Sequence, residues 1–476
     1  METNILLSNI LDVDSYKFSH WPQYPQNTTA MFSYLESRGG RYDHTVFFGL
    51  QYYLKEYLSK PVTMAQVDEA AGFAKAHGVP FNYEGWKYIV EEHSGFIPVK
   101  IRAVAEGSII PTHNILMSVE STDSKVFWVV SWLETMLSRI WYSITVATQS
   151  WSIKQHIYKV LQETSDNPDA EIPFKLHDFG SRGVSSQESA MIGGAAHLVN
   201  FMGSDTVAGI WMANKYYNHK MAAFSIPAAE HSTITMWGKD AEACAYANML
   251  EQYSDSPLMA VVSDSYDIYN AITNIWGGEL RAKVIDYKGT LVIRPDSGDP
   301  VEVVATVLEK LEQAFGATKN SKGFKVINND VRVLQGDGIN EQSIKDILAE
   351  VVHRGYSATN LAFGMGGALL QQVNRDTQKF AFKCSWAIVD GKEVLVYKDP
   401  VTDHGKKSKK GRLDLVKERN GEVHTVRYNG VPNKETGLMN IVYFNGTLSN
   451  ECTLDEIRDR SKTTLEQYRG WSDYSL

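Results

Sequence analysis

Several signatures of well-known chemistry are missing from this chain of 476 residues. It has no GxxxxGK(S/T) phosphate loop, no HExxH pair, no CxxC, no GxSxG elbow and no GxGxxG at a strand end, which removes the standard nucleotide, zinc-protease and serine-hydrolase readings. Cysteine is scarce. The three present, Cys244, Cys384 and Cys452, lack metal-ligand spacing or a secreted framework, which suits a reducing compartment, and each is expected to pack as a small buried apolar side chain. Long hydrophobic runs are absent too: the most apolar stretch, VFWVVSWLETML, carries Glu134 and is too short to span a bilayer. No basic region precedes the short apolar run at the N-terminus, so no signal peptide is expected and a cytoplasmic location is the default. A net charge of -9 argues against a general nucleic-acid binder, which needs a basic field to displace counterions.

What is present is an ordinary globular composition, 43% hydrophobic and 22% charged, in a chain long enough for two packed domains. From residue 172 onward a pattern recurs: a short apolar run ends in a burst of glycine and polar residues, and a helix-like segment follows. The bursts are FKLHDFGSR, GSDTVAG, FSIPAAEHS, AVVSDSYD, LVIRPDSG, VRVLQGDG and LAFGMGG. Seven such strand ends read as successive βα units, either an open doubly wound sheet or a (β/α) barrel, and in both the carboxyl ends of the strands carry the chemistry.

The intervening helices have their own signals. Asp299 is placed as an N-cap with Pro300 in the first turn, Glu302 as a box-like partner and Gly316 as the stop, and Val304, Val307, Leu308, Leu311 and Phe315 form one apolar stripe. NEQSIKDILAEVVHRG repeats the plan, with Ile344, Ile347, Leu348, Val351 and Val352 facing inward. The flanks read differently, as strands and turns, including a hairpin around DGK after residue 377. The expected organisation is therefore a β-rich domain built from 1–148 and 377–476 beside an α/β domain at 149–376.

Among the bursts, GMGG opens a helix whose exposed backbone N–H groups can hold a phosphate. Arg294 and Asp296 flank Pro295 at a strand end, and alternation aims them to one face. Asp264, Asp267 and Asp337 are candidates for magnesium or ribose hydroxyls, or simply helix caps. His231, between Glu230 and Ser232, is either a surface residue at a helix start or a nucleophile or proton carrier beside a carboxylate.

These motifs, together with DSYKFSH, FKCS and KDPVTDHGKKSKKGRL, resemble in order, through nearly the whole chain, the nicotinamide phosphoribosyltransferase family of the type II phosphoribosyltransferases. The resemblance implies an irregular (β/α) barrel with a β-rich second domain formed by both chain ends, acting as a homodimer with shared active sites. It implies transfer of the phosphoribosyl group of phosphoribosyl pyrophosphate to nicotinamide, with magnesium, and ATP hydrolysis coupled through a phosphohistidine at His231. Phe179, and Tyr16 from the other subunit, would sandwich the pyridine ring; Asp205 would accept from the carboxamide; Arg182 and Arg294 would border the ring and sugar phosphate. Asp296 would face the ribose, with Ser263, Gly336 and Asp337 also lining the substrate, Gly366 and Gly367 at the 5′-phosphate and Arg375 supporting that anion. Arg38, Lys383, Lys398 and Lys406 correspond to pyrophosphate and ATP positions, and Glu230, Asp267 and Asp296 to magnesium. The competing readings are nicotinate phosphoribosyltransferase, with the same fold, and a binding protein that keeps the pocket without turnover.

Overall fold

Strands from both ends of the chain pair in one antiparallel sheet of seven, in the order Lys392–Leu395, Phe380–Val389, Thr28–Ser37, Ile115–Ser121, Val99–Val104, Met439–Phe444, Thr447–Leu448. The computed structural model describes residues 7–402, 407–428 and 436–463. Two units divide the chain: Met1–Thr148 with Lys215–His219 and Asn374–Leu476 form the first, and Gln149–Asn214 with Lys220–Val373 the second. In the first, every residue of the central strand from Met31 to Ser37 is buried, as in a sheet covered on both faces. The hairpin around DGK turns at Asp390 (φ +49°) and Gly391 (φ +71°), the pair of positive φ values that a two-residue type I′ turn demands.

The second unit holds six parallel strands: β1 (Leu176–Asp178), β2 (Gly203–Ser204), β3 (Leu258–Val262), β4 (Thr290–Arg294), β5 (Val331–Gln335) and β6 (Leu361–Met365), ordered β2-β1-β6-β5-β4-β3. The two edges are joined by the segment 224–228. Phe224 bridges Gly203 of β2, and Ala228 bridges Ala260 of β3, both in parallel. The sheet therefore curls into a ring with a seventh, irregular stave. Pro227 explains the irregularity: it has no N–H to give, and only its carbonyl joins the ladder, accepting from Ala260 N–H at 2.8 Å. Of the two architectures the sequence left open, the barrel is the one formed.

Helices pack around the ring as the apolar stripes require. Val304, Ala305, Val307, Leu308, Leu311 and Phe315 are the buried residues of helix Pro300–Phe315. Asp299 caps it, accepting from Val301 N–H at 3.0 Å and Glu302 N–H at 3.1 Å. Glu302 does not close a capping box; its carboxylate instead meets Arg354 at 3.0 Å. In helix Glu341–His353 the residues Ile344, Ile347, Leu348 and Val351 are buried, while Val352 is only half-buried at the edge of the stripe. The cysteines also depart from expectation. Cys244 is exposed, because helix Glu242–Gln252 buries its Ala245, Tyr246 and Met249 side instead, and the other two are half-buried. Among the described residues no helix is long and apolar enough to cross a membrane.

This packing predicts unequal losses along helix Pro300–Phe315. Leu308→Ala, at a fully buried position, is expected to cost about 2–5 kcal/mol, and Asp299→Ala about 1 kcal/mol. Denaturant unfolding of both variants checks the order, and equal losses would contradict it.

Candidate functional site

Because all the strands of the ring run the same way, their carboxyl ends share one mouth. Phe179 follows β1, Asp205 follows β2, Glu230 and His231 follow the irregular stave, and Ser263 follows β3. Arg294 ends β4 with Asp296 two residues on, Gly336 and Asp337 follow β5, and Gly366 and Gly367 follow β6. Within the barrel lies a cavity of about 620 Å³, lined among others by Phe179, Asp205, Ser225, Ile226, Ala260, Val292, Arg294, Leu334 and Ala362. Its volume suits a small-molecule ligand. Ala260, Val292 and Leu334 form a buried apolar cluster against which Phe179, Ile226 and Ala362 pack.

Phe179 is set by glycine on the neighbouring strand. A β-carbon at Gly364 would stand 2.0 Å from the Phe179 ring, and one at Gly336 would stand 3.4 Å from it. The ring lies against bare backbone on one side, and the Arg294 guanidinium sits 5.7 Å from its centroid. Opposite charge is held nearby: Ser225 donates to the Asp205 carboxylate at 2.6 Å. An apolar slot with an aromatic wall, an arginine and a fixed carboxylate can take a flat heterocycle that donates a hydrogen bond.

A second group surrounds His231, which starts the short helix His231–Thr235. Its Nε2 lies 3.0 Å from Asp264 Oδ1, and its Nδ1 lies 4.0 Å from Asp296 Oδ2. Asp264 is almost completely buried, at 4% side-chain exposure. Its other oxygen accepts from Asp296 N–H at 3.1 Å and from Ser297 Oγ at 2.5 Å. One carboxylate therefore fixes both the imidazole and the turn that carries Asp296. Because an ionised carboxylate only accepts, Nε2 is the nitrogen that donates to Asp264, and Nδ1 is turned toward Asp296. The sequence offers Asp264 beside Asp267 in SDSYD, and it is Asp264 that the structure brings to His231. Asp267 caps the following helix, accepting from Tyr269 N–H at 2.9 Å and Asn270 N–H at 3.0 Å. Ser225, which anchors Asp205, had no sequence signal.

Other expected residues are placed away from the cavity. Ser263 is fully buried, its hydroxyl donating to Val261 O at 3.0 Å and accepting from Trp276 Nε1 at 3.1 Å. Arg182 is exposed on the turn Ser181–Gly183. Asp337 and Glu230 are exposed at the mouth, and Glu230 accepts from Ser232 Oγ at 2.5 Å. Gly367 has open space where a side chain would stand, so an anion can approach its backbone. For magnesium, no cluster of three or more His, Cys, Asp or Glu side chains forms among the described residues. Asp267 uses Oδ1 as a helix cap, whereas Asp296 and Glu230 cap no helix with their side chains, and one or two such carboxylates with substrate phosphates are the donors that suit this ion.

The remaining expected residues belong to the first unit. Arg38, Arg375, Lys383 and Lys398 line one cavity there, of about 540 Å³, with Glu134 and Asp376. Arg375 thus stands in the same cavity as Arg38, Lys383 and Lys398. Arg38 Nε donates to Glu36 Oε1 at 2.9 Å, while its buried Nη2 has no hydrogen-bond acceptor. Burial, with the nearby cations, pushes the Lys383 ammonium below its usual value despite the opposing pull of Glu134. Both features favour an incoming anion. Tyr16 is exposed on the turn Ser15–Ser19, and Lys406 lies outside the described residues.

Asp178, at the end of β1, is the pivot of the barrel mouth and was not singled out in the sequence. Its Oδ1 accepts from Gly180 N–H at 2.7 Å, and its carbonyl accepts from Asp205 N–H at 2.9 Å. Burial raises its carboxyl from 3.8 to about 6, opposed by the Gly180 N–H and the Thr206 hydroxyl and assisted by the Asp205 charge. The folded state thus holds the proton more tightly, so this stabilisation is full below 3.8 and is lost as pH rises through about 6. The two limits differ by about 3 kcal/mol. Asp178→Asn is expected to flatten the melting temperature over that interval and to melt no lower than wild type at neutral pH; an unchanged pH profile would contradict the assignment.

Comparisons with known proteins identify the family and the fold. The profile of the Nicotinate phosphoribosyltransferase (NAPRTase) family matches residues 174–439, and that of the Nicotinamide phosphoribosyltransferase, N-terminal domain, matches residues 8–101. A nicotinamide phosphoribosyltransferase of Xanthomonas campestris pv. campestris is 55% identical over 455 residues, covering 94% of this chain and 97% of its own. Among solved structures, a nicotinate-nucleotide pyrophosphorylase from Pyrococcus furiosus superposes with a TM-score of 0.61 at 17% identity over 100% of both chains. Human nicotinic acid phosphoribosyltransferase gives a TM-score of 0.57 at 15% identity, covering 98% of this chain and 95% of its own. These two share the fold, an irregular α/β barrel with a β-rich second domain. With more than half its length matched by the NAPRTase profile and a relative this similar from end to end, the chain belongs to the nicotinate and nicotinamide phosphoribosyltransferase family of enzymes.

Proposed function

We propose that the protein transfers the phosphoribosyl group of phosphoribosyl pyrophosphate to nicotinamide, giving nicotinamide mononucleotide and pyrophosphate. The observation that carries this reading is the barrel cavity, where Phe179, Asp205 and Arg294 meet over an apolar floor. The name of the 55%-identical relative supports the same substrate. In the transfer, the pyridine nitrogen forms a bond to ribose C1′ while the C1′–O bond breaks and its electron pair leaves with pyrophosphate. Phe179 would hold the ring by one face, and the homodimer implied by the family resemblance would bring Tyr16 of the partner subunit to the other. Asp205 would accept from the carboxamide N–H. Asp296 would face the ribose, and Gly366 and Gly367 would receive the 5′-phosphate. Asp296 and Glu230 would hold magnesium, which when bound offsets charge on the leaving pyrophosphate.

The base discriminates itself at Asp205. An amide donates to this carboxylate, whereas nicotinate would set two negative charges together, a penalty of up to about 4 kcal/mol at 4 Å and an effective dielectric near 20. The alternative reading, nicotinate transfer, is disfavoured on that ground. The same proposal gives His231 a second task, taking the γ-phosphoryl group of ATP. Its Nδ1 lone pair would form the P–N bond as the bond from phosphorus to the bridging oxygen breaks and ADP leaves. Asp264 would offset the positive charge on the ring.

Product analysis with nicotinamide, phosphoribosyl pyrophosphate and magnesium, with and without ATP, tests the reading directly; no mononucleotide from pure protein would end it. Asp205→Ser is expected to narrow the ratio of nicotinamide to nicotinate kcat/KM by up to roughly a thousandfold, the ceiling set by that penalty. His231→Ala should keep basal transfer but lose ATP stimulation and the acid-labile label from γ-labelled ATP. Labelling at the wild-type level would place the phosphohistidine elsewhere.

A further inference from the structure

Eight non-glycine residues among those described adopt positive φ, and six are asparagine, aspartate or serine: Asn27, Ser94, Asn218, Asp390, Asn445 and Asn450. Asparagine and aspartate tolerate this region because their short polar side chains bond locally. The other two are His113 (φ +64°) and Lys379 (φ +49°). Both line the same basic cavity of the first unit.

Their backbones grip the turn that carries Arg38. His113 N–H donates to Ser37 O at 2.7 Å, and Arg38 N–H donates to Lys379 O at 3.2 Å. The His113 ring also lies beside this turn, with Nε2 3.5 Å from where a β-carbon on Gly39 would stand. A lysine gains nothing from the left-handed region, where its Cβ crowds the following carbonyl. Neither side chain forms an ion pair among the described residues, although Glu134 and Asp376 also line the cavity. Histidine is commoner at positive φ, so it is at Lys379 that unfavourable backbone geometry kept at a cavity is a pointer to function.

We propose that His113 and Lys379 form an additional phosphate-holding subsite at this cavity, beyond Arg38, Arg375, Lys383 and Lys398, for the far phosphate of a diphosphate or triphosphate chain. The inference rests on the reading that this cavity receives a phosphorylated substrate. Lys379 supplies a mobile charge with three donors, and the imidazole supplies at least one N–H in either tautomer. Two phosphates in a row need more donors than a single arginine fork provides.

The test exploits the backbone. Asparagine is tolerated at positive φ, so a His113→Asn, Lys379→Asn variant is expected to melt at or above the wild-type temperature. It should nevertheless bind inorganic pyrophosphate about tenfold more weakly by calorimetry, which is about 1.4 kcal/mol. A residue kept for structure alone would lower the melting temperature and leave this affinity unchanged. The two single variants serve if the pair does not fold. Steady-state kinetics then separates the sources: a raised KM for phosphoribosyl pyrophosphate assigns the subsite to the leaving group, and a raised KM for ATP assigns it to the nucleotide. Wild-type protein that binds no pyrophosphate overturns both the reading of the cavity and the subsite. Wild-type binding that the variants retain within twofold overturns the subsite alone.

Discussion

Everything at the barrel mouth depends on strand direction. Parallel pairing from β2 round to β3, closed through the stave containing Pro227, brings residues nearly two hundred positions apart to one rim. Phe179 and Gly364 illustrate the effect: the first follows β1 and the second lies in the adjacent β6, the two strands pairing in register through Asp178 and Met365. A sheet with one strand reversed would place its polar burst at the opposite end. The repeated alternation of apolar run and polar burst is thus the sequence-level form of a directional rule.

Within that frame, buried carboxylates do the fine positioning. Asp264 spends both oxygens on the barrel mouth, one on His231 and one on the turn of Asp296. Asp178 holds the Phe179 turn and the Asp205 backbone together from the side. Neither presents its charge to the solvent, so each acts through the groups it orients. Exposed groups such as Asp205 and His231 are then free to meet a ligand, which divides labour between fixed and available charge.

Much of this was legible before any coordinates. Helix caps and apolar stripes located Pro300–Phe315 and Glu341–His353, since both signals are local. The strand-end bursts pointed to Asp205, His231, Arg294 and Asp296, and the family resemblance to Phe179. What remained illegible depended on side-chain direction at short range. SDSYD offers two aspartates three residues apart, and only the start of a helix at Ile268 decides that Asp267 caps while Asp264 turns inward. Ser263 is a similar case, facing Trp276 inside the packing. Cys244 failed for a related reason, because composition cannot say which side of a helix is covered. The choice between an open and a closed sheet lay in the segment 224–228, whose bridges to Gly203 and Ala260 are long-range pairings that no local signal reveals.

The contact between Phe179 and Gly364 has a consequence for how this region of the gene can vary. Any codon change that adds a side chain at position 364 sets its first carbon 2.0 Å from the ring, so the phenyl must move out of its present place or be replaced by something smaller. The two sites are coupled sterically: bare backbone at one is what leaves room for the phenyl wall at the other.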